Sequence, residues 1–310
     1  MGKATREAYG NALARIGKEN TNIIVLDADL SKSTKTDTFK AVCPERFFNV
    51  GIAEQNLISV GAGLAAAGKI PFVSSFSMFA TGRAFEQIRN AVCYPKLNVK
   101  VCATHAGITV GEDGATHQSL EDISCMRTLP NMTVVVPADE RETEAVIEWA
   151  ASYNGPVYVR LGRAGVDDVT TEGYSFVPGK STILVDGFDA TIIACGALVG
   201  PAVEASKTLS ESNISARVIN MASIKPIDAE AIIKAAAETG AIVTAEEHNI
   251  IGGLGSAVSE VVVSNKPVPM EFVGVQDTFG ESGTPKELMA KYGLTANDIV
   301  EAVKRVITRK

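Results

Sequence analysis

The segment THAGITVGEDGATHQ, residues 104–118, has the composition of a ligand-binding loop. It contains His105, His117, Asp113 and three glycines, in a chain that has three histidines altogether. Glycine lets the main chain approach a ligand closely, and histidine can donate a hydrogen bond to a phosphate or hydroxyl oxygen near neutral pH. The two histidines are far apart and lack a third strong ligand, which disfavours a metal site. The segment predicts a loop that binds a polar ligand, with a purely structural loop as the alternative.

Glu54 is a second candidate, because it opens a helix predicted over residues 54–68. One interpretation is a solvated carboxylate that the helix dipole stabilises by roughly 0.3–1 kcal/mol. The other is a carboxylate held against apolar surroundings, where loss of hydration favours protonation and lets the group exchange a proton with a ligand. The spacing of residues alone leaves both interpretations open.

Phe76 and Phe79 form a third candidate group, three positions apart and just after a predicted strand at 72–73. Two aromatic residues at this spacing are usually part of a hydrophobic core. They can also form a flat platform for a planar heterocycle, and stacking adds about 0.5–1.5 kcal/mol beyond the burial itself. The sequence alone does not separate the core from the platform.

The elements that must position these residues are alternating strands and helices. Apolar runs typical of buried strands occur at 23–26, 72–73, 99–103, 133–136, 157–159, 191–195, 216–219, 241–245 and 272–275. Helices are predicted at 5–16 with Gly17 as the end, and at 142–150, 200–211, 228–238 and 253–264. N-cap residues predict two further helix starts, at Thr284 and Thr295.

This alternation predicts an α/β protein of two domains with mostly parallel sheets. The first domain is expected over residues 1–165 and the second over 188–310. The segment 166–187 is rich in Asp, Thr, Gly and Ser and is interpreted as a linker. Ligands bind at the carboxyl ends of the strands in such sheets, so the candidate residues should gather there.

Composition and missing motifs exclude several classes of function. The 310 residues carry a net charge of −7, which disfavours nucleic acids and anionic membranes as partners. We expect a soluble, cytoplasmic protein, because the sequence has no membrane-spanning apolar run and no signal-peptide core. The five cysteines form no CxxC or Cys/His cluster, which disfavours zinc and disulfides. A GxxxxGK[ST] phosphate loop and a GxSxG nucleophile motif are also missing.

Three motifs in order, GIAEQNL, SFSMF and ATHAGITVGEDGATHQ, resemble the pyrimidine-binding half of transketolases. Downstream, TIIACG, ARVINMASIKP and TAEEH resemble the transketolase C-terminal domain, so the resemblance covers nearly the whole chain. In this family a further half carries a Gly-Asp-Gly…Asn motif that holds Mg²⁺ and the diphosphate of thiamine diphosphate. That motif is missing here, so the chain resembles the C-terminal subunit of a split transketolase.

The resemblance implies a cofactor role for four residues. Glu54 matches the glutamate that hydrogen-bonds N1′ of the aminopyrimidine and thereby promotes loss of the thiazolium proton. Phe76 and Phe79 match the aromatic pocket around the pyrimidine, with Phe79 the better stacking candidate. Asp29 matches an aspartate near the cofactor and its sugar adduct.

The resemblance also implies a set of sugar-phosphate ligands. The acceptor phosphate is expected at His105, Ser33, Arg6 and Arg163, with Arg160 as a weaker choice. Arginine suits this task, because its planar fork can bind a phosphate with two hydrogen bonds. Asp113 matches the residue that reads the hydroxyl next to the aldehyde, and His117 matches a catalytic residue near the transferred ketol. For Arg6 and Ser33, an exposed helix start and a polar loop remain alternatives.

The implied function is transfer of a two-carbon ketol unit from a ketose phosphate to an aldose phosphate, as in the pentose phosphate pathway. It would require thiamine diphosphate, Mg²⁺ and an N-terminal transketolase subunit in an α₂β₂ heterotetramer. Gln55 and Gly82 depart from residues common in single-chain relatives. These departures leave fine substrate preference and some cofactor contacts open, and they do not affect the role implied for Glu54. The alternatives are a related thiamine-diphosphate subunit, like deoxyxylulose-phosphate synthase or a 2-oxoacid dehydrogenase beta chain, and a non-catalytic regulatory module.

Overall fold

The computed structural model describes residues 2–310, whose strands form two mostly parallel sheets. The prediction of an α/β fold with two such sheets is confirmed. The strands are β1 (Ile23–Asp27), β2 (Phe47–Asn49), β3 (Ile70–Ser74), β4 (Lys100–Ala103), β5 (Thr133–Val135), β6 (Val157–Arg160), β7 (Thr182–Val185), β8 (Ala190–Ala194), β9 (Ala216–Asn220), β10 (Ser223–Lys225), β11 (Ile242–Asn249) and β12 (Met270–Val275).

Helices connect most of the strands, because parallel neighbours need a crossover connection. They are α1 (Thr5–Glu19), α2 (Ser31–Thr34), α3 (Asp37–Val42), α4 (Glu54–Ala66), α5 (Phe85–Gln87), α6 (Asp122–Thr128), α7 (Glu140–Ser152), α8 (Val199–Glu211), α9 (Ala229–Thr239), α10 (Leu254–Asn265), α11 (Pro285–Lys291) and α12 (Ala296–Ile307). Short 3₁₀ turns lie at Pro44–Arg46, Ile108–Val110 and Gly196–Leu198, and π-helical turns at Met78–Arg83 and Ile88–Cys93. Within residues 2–310, no helix is long and apolar enough to cross a bilayer.

The first sheet has seven strands in the order β10-β5-β6-β4-β3-β1-β2. All residues of β1, β4, β5 and β6 are buried, as expected for parallel strands covered on both faces. Strand β10 comes from the second half of the chain and pairs antiparallel with β5. Neither β10 nor this link between the two halves was predicted from the sequence.

The second sheet has the order β12-β11-β8-β9-β7, and β7 runs antiparallel to β9. Strand β7 lies within the segment 166–187 that was interpreted as a linker, whereas residues 166–181 form no strand or helix. The domain boundaries themselves stay predictions. A core of aliphatic side chains from β8, β9, α8 and α12 supports this sheet.

Two predicted helix starts agree with the structure, and one predicted helix end does not. Thr284 and Thr295 both form capping boxes, with Glu287 and Asp298 as the reciprocal partners, so these two predicted starts are confirmed. The predicted end of α1 at Gly17 is wrong, because the helix continues to Glu19. A Cβ at Gly17 would collide with the ring of Phe39, so this glycine allows close packing within the helix rather than ending it.

Candidate functional site

The carboxyl ends of neighbouring strands bring the predicted residues to one edge of the first sheet. Strands β6, β4, β3, β1 and β2 are adjacent in that order. The segments that follow them carry Arg163, His105, Phe76, Asp29 and Glu54. Arg6 from α1 also reaches His105. The site therefore brings together residues as distant in sequence as Arg6 and Arg163, which are 157 positions apart.

Aromatic rings form the centre of the site. Phe76 stacks on His105 with ring centroids 3.9 Å apart and an interplanar angle of 27°, and it lies 6.0 Å from Phe79. His117 meets Phe79 edge-on at 5.3 Å. The backbone of Phe76 also forms a parallel bridge with Thr104, which continues the pairing of β3 with β4 into the site. The two phenylalanines therefore contact the two histidines of the glycine-rich loop.

Glu54 is buried, with a side chain that is 2% exposed, at the first turn of α4. This burial excludes the solvated carboxylate considered from the sequence. Arg83 donates from Nη1 to Glu54 Oε2 at 2.8 Å, and its Cζ lies 4.8 Å from the centre of the Phe79 ring. Neither interpretation of Glu54 from the sequence included the pairing with Arg83.

The contact with Arg83 shows what this part of the site can hold. A guanidinium is a planar group that here bonds to Glu54 through a nitrogen while it lies over the face of Phe79. A planar heterocycle with a ring nitrogen could make the same two contacts. The side chain of Arg83 is half exposed, so it can move aside without leaving a void in the core.

A positively charged group lies beside His105. Arg6 donates from Nη1 to the backbone carbonyl of Ser33 at 2.9 Å and lies 3.4 Å from Nε2 of His105. Arginine can only donate, so Nε2 accepts and Nδ1–H of His105 donates to Thr104 Oγ1 at 2.9 Å. Within residues 2–310, the buried Nε of Arg6 has no acceptor. This leaves a buried donor for a ligand.

His105 is neutral in this arrangement. Burial, and then the positive charges of Arg6 and Arg163, lower the pKa of His105 from 6.5 to about 3. The imidazole therefore takes part as a neutral group, and the arginines supply the positive charge. This differs from a histidine that is protonated near neutral pH.

Arg163 lies beside the acidic part of the loop. It contacts the backbone carbonyl of Val110, and its Nη1 lies 3.2 Å from Glu112 Oε2 and 3.8 Å from Asp113 Oδ2. Burial lowers the pKa of Arg6, and the positive charge of Arg163 lowers it further. The two guanidinium groups therefore contribute positive charge to the same part of the site. The structure therefore places Asp113 close to Arg163.

Asp29 is held by Asn49, a residue that the sequence analysis missed. Asn49 donates from Nδ2 to Asp29 Oδ1 at 2.9 Å, and its Oδ1 accepts from the backbone N–H groups of Asp29 and Gly51 at 3.0 Å. Asp29 has a φ of +65°, a left-handed conformation that aspartate tolerates better than most residues. Asn49 thus ties the end of β1 to the turn that leads into Glu54.

Arg160 lies outside this group, so the structure contradicts its use as a weaker phosphate ligand. Its Nε donates to Asp122 Oδ2 at 2.8 Å, and its Nη2 donates to the carbonyl of Glu247 at 2.8 Å. His248 is fully buried, and its Nδ1 donates to the carbonyl of Asn249. Within residues 2–310, no group of three or more His, Cys, Asp or Glu side chains is arranged to hold a metal ion.

Known proteins match along almost the entire chain. Family models described as transketolase, pyrimidine binding domain, and transketolase, C-terminal domain, match residues 1–167 and 179–299. A Methanocaldococcus jannaschii protein named putative transketolase C-terminal section is 53% identical over 304 residues, covering 97% of this chain and 95% of the relative. A Clostridium 6-deoxy-6-sulfo-D-fructose transketolase subunit is 43% identical over 305 residues, covering 98% and 95%. A solved structure described as a split gene transketolase, inactive β4 tetramer, has a TM-score of 0.94 and 58% identity, covering both chains completely.

Proposed function

Because this chain belongs to the transketolase family, we propose that it is the subunit of a split transketolase that binds the pyrimidine of thiamine diphosphate. The reaction transfers a two-carbon ketol unit from a ketose phosphate to an aldose phosphate. The observation that carries this proposal is the buried Glu54 carboxylate, which bonds to the planar guanidinium of Arg83 lying over the Phe79 ring.

The residues present fit the pyrimidine part of this cofactor. Glu54 would hold a proton at N1′ of the ring, in place of its present bond to Arg83. Phe79 would lie against the ring, and Phe76, stacked beside Phe79, would help to exclude water. Asp29 lies at the neighbouring strand end, next to the turn that leads into Glu54. When bound, the cofactor supplies the electron sink for the two-carbon fragment.

The diphosphate and Mg²⁺ require residues that this chain does not offer. Magnesium prefers an octahedral shell of oxygen ligands, including carboxylates and the cofactor's phosphates. Residues 2–310 contain no candidate metal cluster, and the sequence lacks the Gly-Asp-Gly…Asn motif. We therefore assign these ligands to an N-terminal partner subunit, with α₂β₂ as the expected assembly.

The sugar phosphate is proposed to bind on the His105 side of Phe76. Arg6 and Arg163 supply the positive charge, and Arg6 Nε is the buried donor without an acceptor. His105 and Ser33 complete the phosphate site. Asp113 reads the hydroxyl next to the aldehyde, and His117 of the same loop meets Phe79 edge-on, next to where the transferred ketol would sit.

Reconstitution tests the proposed function. The chain is mixed with a candidate N-terminal subunit, thiamine diphosphate, Mg²⁺, a ketose phosphate and an aldose phosphate. We expect ketol transfer from the mixture and none from either chain alone, because each lacks half of the cofactor site. Cofactor affinity measured by calorimetry should rise on mixing. A pair that assembles without gaining cofactor affinity or turnover would contradict the proposal and favour a non-catalytic module.

The phosphate site predicts a selective effect for Arg6→Gln in the assembled enzyme. A hydrogen bond to a charged group contributes about 1.5–3 kcal/mol, so KM for an aldose phosphate should rise roughly 10- to 100-fold. The same aldose without phosphate should be used as well by the variant as by the wild type. Arg15→Gln is the matched control, because Arg15 lies on the same helix and pairs with Glu148 at the surface. An equal loss with both acceptors would refute the phosphate role.

A further inference from the structure

The loop that carries His105 and His117 is held by the second half of the chain. Its Thr109 N–H donates to Glu247 Oε1 at 2.6 Å, its Glu112 carbonyl accepts from Ser282 Oγ at 2.6 Å, and its Gln118 Nε2 donates to the Glu281 carbonyl at 2.9 Å. Two of these bonds use backbone carbonyls, and the bond to Glu112 is exposed. The bond from Thr109 differs, because its acceptor is a buried carboxylate.

Glu247 reaches the loop from the end of β11, and it is 3% exposed. Its carboxylate lies directly against the backbone of Gly107, where an added Cβ would collide with it. Hydrogen bonds from a backbone N–H to a carboxylate are roughly twice as strong as neutral ones. The carboxylate therefore fixes the turn from Gly107 to Thr109, two positions beyond His105.

This turn needs an external support. His105 has a φ of +56° and Gly107 a φ of +85°, so the chain adopts left-handed conformations on both sides of Ala106. For a residue with a side chain, such a conformation persists only where the surroundings enforce it. The N–H of Thr109 is also buried and would be unsatisfied without Glu247. The orientation of the His105 ring between Phe76 and Arg6 depends on the same turn.

We propose that Glu247 is a positioning residue, which acts through Gly107 and Thr109 to hold His105 against Arg6 at the acceptor end of the site. The identity of the bound ligand rests on the proposed function, whereas the control of the loop does not. The proposal gives the second half of the chain a role in the site.

Glu246 provides a matched control at the preceding position. Its side chain is equally buried, at 1% exposure, but its oxygens accept from the N–H groups of Leu254 and Gly255 at 2.7 and 2.8 Å. These bonds stay within the second half, at the start of α10. Removal of either carboxylate leaves a comparable hole at the end of β11, and only Glu247 contacts the loop.

Hydrogen exchange on the full chain tests the contact without any assay of activity. In Glu247→Ala, the amides of residues 107–110 should exchange at least about tenfold faster than in the wild type, because the Thr109 bond is lost. Glu246→Ala should leave these amides protected and expose those at the start of α10. Glu247→Gln keeps an oxygen that can accept from Thr109, so it should restore most of the protection.

Kinetics of the assembled enzyme test the consequence for the site. Glu247→Ala should raise KM for the aldose phosphate about tenfold and leave the affinity for thiamine diphosphate unchanged, because Glu54 and Phe79 lie on other elements. Glu247→Gln should recover the KM. Glu246→Ala should change neither value.

The outcomes separate this proposal from the proposed function. Native exchange and native KM in Glu247→Ala overturn the positioning role, and so does an equal effect of Glu246→Ala on the loop. If the wild-type assembly transfers no ketol unit, the proposed function fails. The exchange measurement then still decides whether Glu247 holds the loop.

Discussion

Replacing Glu54 by glutamine in the assembled enzyme is expected to lower kcat for ketol transfer by about 10²–10⁴-fold, the usual contribution of a side chain that transfers a proton. Glutamine keeps the shape and one accepting oxygen, but it cannot hold the proton that a carboxylate shares with a ring nitrogen. The side chain is buried at the start of α4, so bulk water cannot take over this task. KM for the aldose phosphate should change little, because Glu54 bonds to Arg83, whereas Arg6 and His105 bond to Ser33, Thr104 and each other.

The control for this prediction is Glu86→Gln. Glu86 is an exposed carboxylate on the short helix α5, and it bonds to Gln87 and Asn90 rather than to the site. Its substitution should leave kcat at the wild-type value. Steady-state turnover at saturating cofactor gives the comparison, and thermal unfolding shows that both variants are folded. Wild-type turnover in Glu54→Gln would remove the central residue of the proposed mechanism.

Most of the site could be predicted because its residues follow strands. Apolar runs indicated β1, β3, β4 and β6, and a parallel sheet places the carboxyl ends of such strands at one edge. That rule is enough to gather Asp29, Phe76, His105 and Arg163, whatever the details of packing. The family resemblance then added the chemistry that each residue is expected to perform.

Arg83 could not be predicted in the same way. It pairs with Glu54 across 29 positions, and it ends a π-helical turn at Met78–Arg83. Such a turn has neither the 3.6-residue period of an α-helix nor the alternation of a strand, so sequence periodicity gives no direction for this side chain. Asn49 was missed for a similar reason, because its role depends on the turn between β2 and α4.

The contacts between the two halves of the chain could not be predicted from the sequence either. Strand β10 has only three residues and joins the first sheet antiparallel, beside β5. In the sequence, Glu247 is one residue of the motif TAEEH, and only the packing of β11 against the loop shows its carboxylate against Gly107. Local patterns predict elements, whereas side-chain partners that are distant in sequence follow from packing.

The second large effect is expected for Arg160→Met, which should lower the free energy of unfolding by about 3–5 kcal/mol at pH 7. Arg160 and Asp122 form a fully buried ion pair, in which Asp122 Oδ2 also accepts from the hydroxyl of Tyr158 at 2.6 Å. Loss of the guanidinium leaves a buried carboxylate without its opposite charge. Urea unfolding of the full chain measures the change.

A double variant separates the charge from the packing. Arg160→Met combined with Asp122→Leu replaces the pair by apolar side chains, and it should recover most of the lost stability. Tyr158 keeps a partner in this variant, because its hydroxyl also bonds to Ser77 Oγ at 2.9 Å. A double variant as unstable as Arg160→Met would show that the loss does not come from the unpaired Asp122 carboxylate.

The pH dependence gives the sharper test, because Arg160 reverses the effect of burial on Asp122. Burial alone would raise the pKa of Asp122, but Arg160 and His248 hold it below its ordinary value of 3.8. In the wild type, the stabilisation is therefore present above pH 4 and is lost as the pH falls through the lowered pKa. In Arg160→Met, burial loses its main opposing charge and His248 alone remains, so the carboxyl group is best tolerated in its protonated form at low pH. Glu247 also loses its nearby positive charge and shifts the balance in the same direction. The stability difference between the two proteins should therefore shrink as the pH falls from 7 towards 4, and a constant difference would contradict an ion pair as its cause.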